Sequence, residues 1–294
     1  MDDAIVVAEL RCAIGEGPFW DERSSRLLGV DLSAGEVWRL DPATGATDRW
    51  HLGGTVSAVL TSRGGEDELA VTRGRSVLLG CFGATDPHPW VEVASDSPVE
   101  RLNDAGCDPR GRLWVGSMAS DFSPDVSTLY RVGPQGAVAA HRPFQLANGL
   151  AWSPDARTLY LVDSRAHEIL RFAYDPATGR CERRLSSLAV DPAWGFADGL
   201  CVAADGSLWV AMYAGWAVRQ LTPEGECLAV VDLPVAKATS VCFGGPGLAD
   251  LYVTTAAAGL TEEEAAAQPH AGDLFMVPGA GPGLAVSGLD PAAR

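Results

Sequence analysis

Asp108-Pro109-Arg110-Gly111-Arg112-Leu113-Trp114-Val115, Ser153-Pro154-Asp155-Ala156-Arg157-Thr158-Leu159-Tyr160-Leu161-Val162 and Asp205-Gly206-Ser207-Leu208-Trp209-Val210 each set a tight turn directly before a buried β-type run. Pro, Asp, Ser and Gly supply the turn, and the apolar residues that follow read as a strand. Fainter copies stand at Ser24-Ser25-Arg26-Leu27-Leu28-Gly29-Val30, Gly64-Gly65-Glu66-Asp67-Glu68-Leu69-Ala70-Val71 and Gly247-Leu248-Ala249-Asp250-Leu251-Tyr252-Val253, which brings the number of copies to six.

The leucine of each copy serves as a ruler. Leu27, Leu69, Leu113, Leu159, Leu208 and Leu251 are separated by 42, 44, 46, 49 and 43 residues, the repeat length of four-stranded propeller blades. After most rulers comes a second alternating run closed by a turn, as in Glu36-Val37-Trp38-Arg39-Leu40-Asp41-Pro42 and its near-copy Ile169-Leu170-Arg171-Phe172-Ala173-Tyr174-Asp175-Pro176. Period-two alternation with Pro and Gly punctuation is strand and turn, not helix. One stretch reads as helix, Thr261-Glu262-Glu263-Glu264-Ala265-Ala266-Ala267, where Thr261 and Glu264 have capping-box spacing inside the last repeat. The run Ala4-Ile5-Val6-Val7-Ala8-Glu9-Leu10 precedes the first ruler and can lend a strand to the last blade, which removes the open edges of the array. The expected fold is all-β, a six-bladed propeller of four-stranded blades closed by the N-terminal strand, with residues 1–294 as one domain.

Composition narrows the partners. With 47% hydrophobic residues the chain has ample core material, and 22 basic against 38 acidic residues leave a formal charge of −16. That charge repels phosphate backbones and anionic headgroups, so neither nucleic acid nor a membrane surface is expected as a partner. Met1-Asp2-Asp3 lacks a basic n-region and no apolar run approaches the roughly 18 residues of a membrane span, so a cytoplasmic protein is expected. Seven cysteines without a Cys-x-x-Cys pair read as reduced thiols packed as small apolar residues. No feature calls for an obligate protein partner.

Counting back from the rulers gives the candidate site, because equivalent positions of successive blades lie around one axis. Glu16 and Asn148 stand 11 residues before their rulers, Asn103 and Asp198 stand 10 before theirs. The sixth blade offers Thr239 or Ser240 at this phase, the second Ser57 or Ala58. The ring is rich in oxygen and free of cysteine and histidine, a donor set suited to a hard divalent cation such as calcium, magnesium or manganese. The alternative is that Asn148-Gly149 and Asp198-Gly199 are hairpin turns; against it, each blade already has its turn beside the ruler. No Gly-x-Ser-x-Gly elbow, Walker loop or His-Glu-x-x-His is present. The five histidines fall at unrelated phases, and Lys237 is the single lysine.

Gly15-Glu16-Gly17-Pro18-Phe19-Trp20, Arg101-Leu102-Asn103-Asp104, Asn148-Gly149-Leu150, Asp198-Gly199-Leu200, Val241-Cys242-Phe243-Gly244-Gly245 and Ala271-Gly272-Asp273-Leu274-Phe275 follow one another in an order that resembles the gluconolactonase/senescence marker protein (regucalcin) family. The resemblance implies a six-bladed propeller holding one divalent cation through Glu16, Asn148 and Asp198. It implies substrate contacts from Arg101 and Asn103, and Asp198 as proton donor and acceptor. For Arg101 an ion pair within the blade is the alternative. Some members carry an acidic lid residue after the third ruler strand; here Met118-Ala119-Ser120-Asp121-Phe122 offers Asp121 in its place. Trp194, Phe196, Tyr213 and Trp216 flank Asp198 and offer either an apolar wall for a sugar face or ordinary packing.

The function this implies is that of a sugar lactonase, a carboxylic-ester hydrolase opening a small-molecule aldonolactone such as glucono-, xylono-, arabinono- or galactonolactone. The implied cofactor is one divalent cation, calcium first, with zinc, manganese, magnesium or iron(II) as alternatives. A phosphotriesterase-type hydrolase and a non-catalytic calcium-binding propeller are the competing readings.

Overall fold

The computed structural model describes residues 3–293. They form six antiparallel sheets in a ring. From the axis outward, blade one contains Gly15–Asp21, Arg26–Asp31, Glu36–Leu40 and Thr47–His51; blade two contains Val56–Thr61, Glu68–Arg73, Ser76–Cys81 and His88–Glu92. Blade three contains Glu100–Cys107, Leu113–Ala119, Ser127–Gly133 and Gly136–Phe144; blade four contains Ala147–Trp152, Thr158–Asp163, Glu168–Asp175 and Arg180–Arg184, with Leu188–Ala189 added beside its third strand. Blade five contains Phe196–Val202, Leu208–Tyr213, Ala217–Leu221 and Cys227–Asp232. Blade six contains Ala238–Gly244, Asp250–Thr255 and Leu274–Val277, and takes Ile5–Ala8 as its outermost strand. The architecture is therefore the six-bladed propeller that the rulers imply, closed by the N-terminal strand. Each inner strand lies against the next, and the sixth against the first.

All six ruler leucines lie in the second strand of their blade and are buried. The residue after each ruler points the opposite way, yet Trp114, Tyr160, Trp209 and Tyr252 at that place are buried too. A second strand has a neighbouring blade on each face, so both sets of side chains find apolar partners. Each full burial of such a side chain stabilises by about 1.5–3 kcal/mol.

The turns before the rulers are built by their aspartates. Asp21, Asp108, Asp155 and Asp205 each accept a hydrogen bond from the backbone N–H two residues on, at 2.9–3.1 Å, which folds the chain back without a long loop. The predicted helix is present as α1 (Glu262–Ala267), with the complete Thr261/Glu264 capping box, between the second and third strands of blade six. None of the seven cysteines is bridged; Cys81 and Cys227 are exposed, a departure from the packed-thiol expectation, whereas Cys12, Cys107, Cys201 and Cys242 are buried. Among the described residues no helix is long and apolar enough to cross a membrane.

Candidate functional site

Every inner strand breaks its register with the second strand once, and always at the phase picked out by the rulers. The irregularities fall between Glu16 and Phe19, Val56 and Ala58, Leu102 and Ala105, Ala147 and Leu150, Ala197 and Leu200, and Ala238 and Ser240. A bulge interrupts alternation and re-aims the side chains at that point. Glu16, Ser57, Asn103, Asn148, Asp198 and Thr239 are therefore brought to one level of the channel, one from each blade.

Asn148-Gly149 and Asp198-Gly199 lie inside strands, and neither glycine has a positive φ, so the hairpin-turn alternative fails. The glycines answer a need for space. A Cβ on Gly149 would sit 2.5 Å from the Leu200 nitrogen, and one on Gly199 would sit 2.6 Å from the Ser240 Cα. Successive inner strands approach this closely only where a side chain is missing.

Hydrogen bonds stitch the ring together at the same level. Ser57 Oγ donates to the Asn103 carbonyl at 2.9 Å, Asn103 Nδ2 to the Ala147 carbonyl at 3.0 Å, Ser164 Oγ to the Ala197 carbonyl at 2.6 Å and Thr239 Oγ1 to the Gly15 carbonyl at 2.5 Å. Each runs from one blade to the next. Asn103 Nδ2 also donates to Asn148 Oδ1, and Asn148 Nδ2 donates to Ser164 Oγ at 2.7 Å. The segments entering the bulges are held as well. Asp31 accepts from the Ala13 and Ile14 N–H groups, and Asp163 from those of Gln145 and Leu146. Ser57 and Thr239, at the ligand phase by count, spend their hydroxyls on this stitching.

Three carboxylates meet in the ring: Glu16, Asp198 and Asp104. Burial, then the charges of Asp198 and Asp104, hold the Glu16 carboxyl well above the usual carboxylate range. Burial, then Asp104, does the same to Asp198, and no hydrogen bond opposes it. Burial lifts Asp104 to about 7 against the pull of Arg101. Burial lowers the Arg101 guanidinium, while Glu16 and Asp104 favour its charge. Arg101 Nη1 donates to Asn103 Oδ1 at 2.9 Å and to the Leu102 carbonyl at 3.0 Å. Arg101 is thus coupled to Glu16 and to Asp104 of its own strand, and among the described residues it makes no ion pair at contact distance.

A divalent cation suits this balance. Among the described residues no three His, Cys, Asp or Glu side chains form a metal cluster by themselves. The fitting donor set is mixed: the Glu16 and Asp198 carboxylates, both short of hydrogen-bond donors, with the Asn148 carboxamide oxygen, which accepts from Asn103, at the same phase of the ring. All are hard oxygen donors.

The remaining candidates stand apart from the ring. Asp121 is exposed in the loop after Ala119, where it accepts a hydrogen bond from the Ser123 N–H at 3.0 Å, and Ser123 holds its carboxyl below the usual range. The loop is tied to blade four by Arg165, which donates to the Phe122 carbonyl at 2.8 Å. Trp194 is packed under the Arg219 guanidinium at 4.5 Å. Phe196 and Trp216 are exposed, with His167 stacked on Phe196. Tyr213 is closest to the chemistry, since burial and then Asp198 and Glu16 raise its phenol. Asp104 and Ser164 were not among the residues picked out by phase counting. The signal for Asp104 was its place directly after Asn103; for Ser164 there was none.

A family model described as the SMP-30/Gluconolactonase/LRE-like region matches residues 14–257. Human regucalcin is 35% identical over 287 residues, covering 95% of this chain and 94% of that protein. The crystal structure of a calcium-binding protein, regucalcin, from Agrobacterium tumefaciens superimposes with a TM-score of 0.88 at 25% identity, covering 98% of this chain and 96% of the other. A luciferin-regenerating enzyme superimposes with a TM-score of 0.86 at 28% identity, covering 99% and 98%.

Proposed function

The chain belongs to the SMP-30/gluconolactonase/LRE-like family, and on that premise we propose that it is a divalent-cation-dependent hydrolase that opens sugar lactones to their aldonic acids. The observation that carries the reading is the ring of bulges, where one glutamate, two aspartates, two asparagines and one arginine share a buried level of the channel. Glu16, Asn148 and Asp198 would hold the cation, which would supply Lewis-acid polarisation of the lactone carbonyl and lower the pKa of a water. Calcium is the first expectation, because the donors are all oxygens and the A. tumefaciens neighbour is described as calcium-binding.

The chain's own residues divide the rest of the work. Asp198 takes a proton from the attacking water and returns one to the ring oxygen as the ester bond opens. Arg101 presents a planar five-donor head, and Asn103 both donates and accepts, so the pair can orient hydroxyl and carbonyl oxygens of the sugar. Asp121, on the loop tethered by Arg165, is the candidate for a further hydroxyl contact in place of an acidic lid residue.

The test is pH-stat hydrolysis of glucono-, xylono-, arabinono- and galactonolactone, with calcium, zinc, manganese or magnesium added back to chelated protein. Turnover that requires a cation and disappears in a folded Asp198→Ala variant is expected. Undiminished turnover of chelated protein refutes the cation role. Tight cation binding with no turnover of any lactone, and none of aryl organophosphates, favours a binding protein, the reading that the regucalcin neighbour's description supports.

A further inference from the structure

Beyond the ring of bulges the channel continues as a cavity of about 420 Å³. Its wall is largely apolar and includes Trp20, Leu150, Trp152, Leu200, Phe243 and Leu284. The C-terminal segment crosses this end. Leu284 N–H donates to the Val202 carbonyl at 3.2 Å and Asp290 N–H to the Gly111 carbonyl at 2.9 Å. The segment is seated on Phe243, whose ring leaves no room for a side chain at Gly283. The wall also includes Glu22, Pro109, Pro154 and Val286, which are exposed, so the cavity opens to solvent at the end opposite the candidate site.

One charged side chain enters this apolar space from within. Asp104 lines the cavity, is only 8% exposed, and its Oδ2 has no hydrogen-bond partner among the described residues. A buried carboxylate oxygen without a donor is a costly arrangement that a ligand can relieve. The volume lies in the range of small-molecule pockets, and an apolar wall with one convergent polar group is their usual make-up. An anion is excluded, since Glu16 and Asp198 add negative charge behind Asp104. A neutral hydroxyl satisfies the oxygen and leaves the charge uncompensated. An ammonium group supplies both donors and charge, and the apolar wall that includes Trp20 and Trp152 accommodates an apolar stem.

We infer that this cavity is a second ligand site, which shares Asp104 with the ring of bulges and extends away from it, for a small amphipathic amine whose ammonium pairs with Asp104 and whose apolar stem lies between the channel wall and Leu284. The inference stands apart from the lactonase reading and survives its failure.

The test is isothermal titration of chelated protein at pH 8, above the value of about 7 to which burial lifts Asp104, with n-hexylammonium, n-hexanol and hexanoate, alongside tryptophan fluorescence, since Trp20 and Trp152 line the site. Hexylammonium should bind at least about tenfold tighter than hexanol, as expected for a charge-assisted contact, and hexanoate should not bind. Asp104→Asn should bring hexylammonium down to the level of hexanol. Leu284→Trp, which fills the cavity from the tail, should abolish amine binding with the far-UV circular dichroism unchanged. Leu284→Ala should retain amine binding, which separates occlusion from a disturbed tail. Equal affinity for amine and alcohol overturns the inference. So does amine binding that survives both Asp104→Asn and Leu284→Trp, because the amine then sits elsewhere.

Discussion

Gly199→Ala isolates the claim that the site is formed by close approach of inner strands. Gly199 has an ordinary backbone conformation, so alanine brings no strain of its own. Its Cβ would meet the Ser240 Oγ at 2.0 Å, Cβ at 2.5 Å and Cα at 2.6 Å, where ordinary contact begins at 3.4 Å. The hydroxyl can rotate away, but Cβ and Cα cannot, so blades five and six must separate by about 1 Å at the axis. Overpacking of this kind costs about 1–3 kcal/mol, or a Tm lowered by several degrees at about 2–4 °C per kcal/mol in a chain of this size. Asp198 precedes the substituted residue, and a misplacement of about 1 Å costs about 100-fold in rate. Lactone turnover and a thermal melt on the same preparation measure both. Ser240→Gly added to Gly199→Ala removes two of the three clashing atoms and should recover part of each loss. Gly45→Ala, at a φ of +73° with nothing within 4 Å, carries backbone strain without the clash and should lower Tm slightly with turnover intact. A Gly199→Ala protein with wild-type turnover and Tm refutes the close-approach argument.

Glu16→Gln removes one of three mutually repelling carboxylates, so the chelated variant should melt above chelated wild type at pH 8, while the rise in Tm on adding calcium, about 2.7 kcal/mol at a hundredfold excess over Kd, should vanish. Acids whose proton affinity is raised by folding leave the folded state with more bound protons than the unfolded one. Stability of the chelated protein should therefore fall as pH rises from about 4, the unfolded carboxylate value, through about 7, where Asp104 titrates. Melts in chelator across that range check the sign, and calcium affinity by titration should strengthen over the same window because its ligands must lose their protons. Leu159→Ala deletes a fully buried ruler and should cost about 2–5 kcal/mol by denaturant unfolding, with turnover per folded molecule preserved.

The rulers made the blades legible because a second strand buried on both faces demands apolar residues at consecutive positions. Leu113-Trp114 and Leu208-Trp209 cannot serve a one-sided strand. The phase of the site was legible for the same reason, since every blade must reach the axis at the same depth. Asp104 was not, because strand alternation sends neighbours to opposite faces, and that rule fails at a bulge, where Asn103 and Asp104 both reach the ring. The cavity beyond was illegible as well. It depends on Gly283 and Leu284, which lie outside the repeat and so have no phase to count from. Of the two readings of Trp194, wall or packing, its place under Arg219 fits packing; that partner comes from the third strand of blade five, a relation that spacing does not reveal.

Ring closure and site geometry are tied together at two radii. The outer closure is the strand Ile5–Ala8, none of whose residues is fully buried. The inner closure is the hydrogen bond from Thr239 to the Gly15 carbonyl, wholly buried and directly beside Glu16. The other inner links end at the Asn103, Ala147 and Ala197 carbonyls, at or immediately before a bulge. Each is worth only about 0.5–1.5 kcal/mol net, small against the burial of the strands behind them. Their effect is on position: they set how far Glu16 stands from Asp198, and hence how strongly the two carboxylates call for a cation. The second strands, buried on both faces, supply much of the stability, and the bulged inner strands, with their glycines and hydroxyls, supply the spacing of the ring.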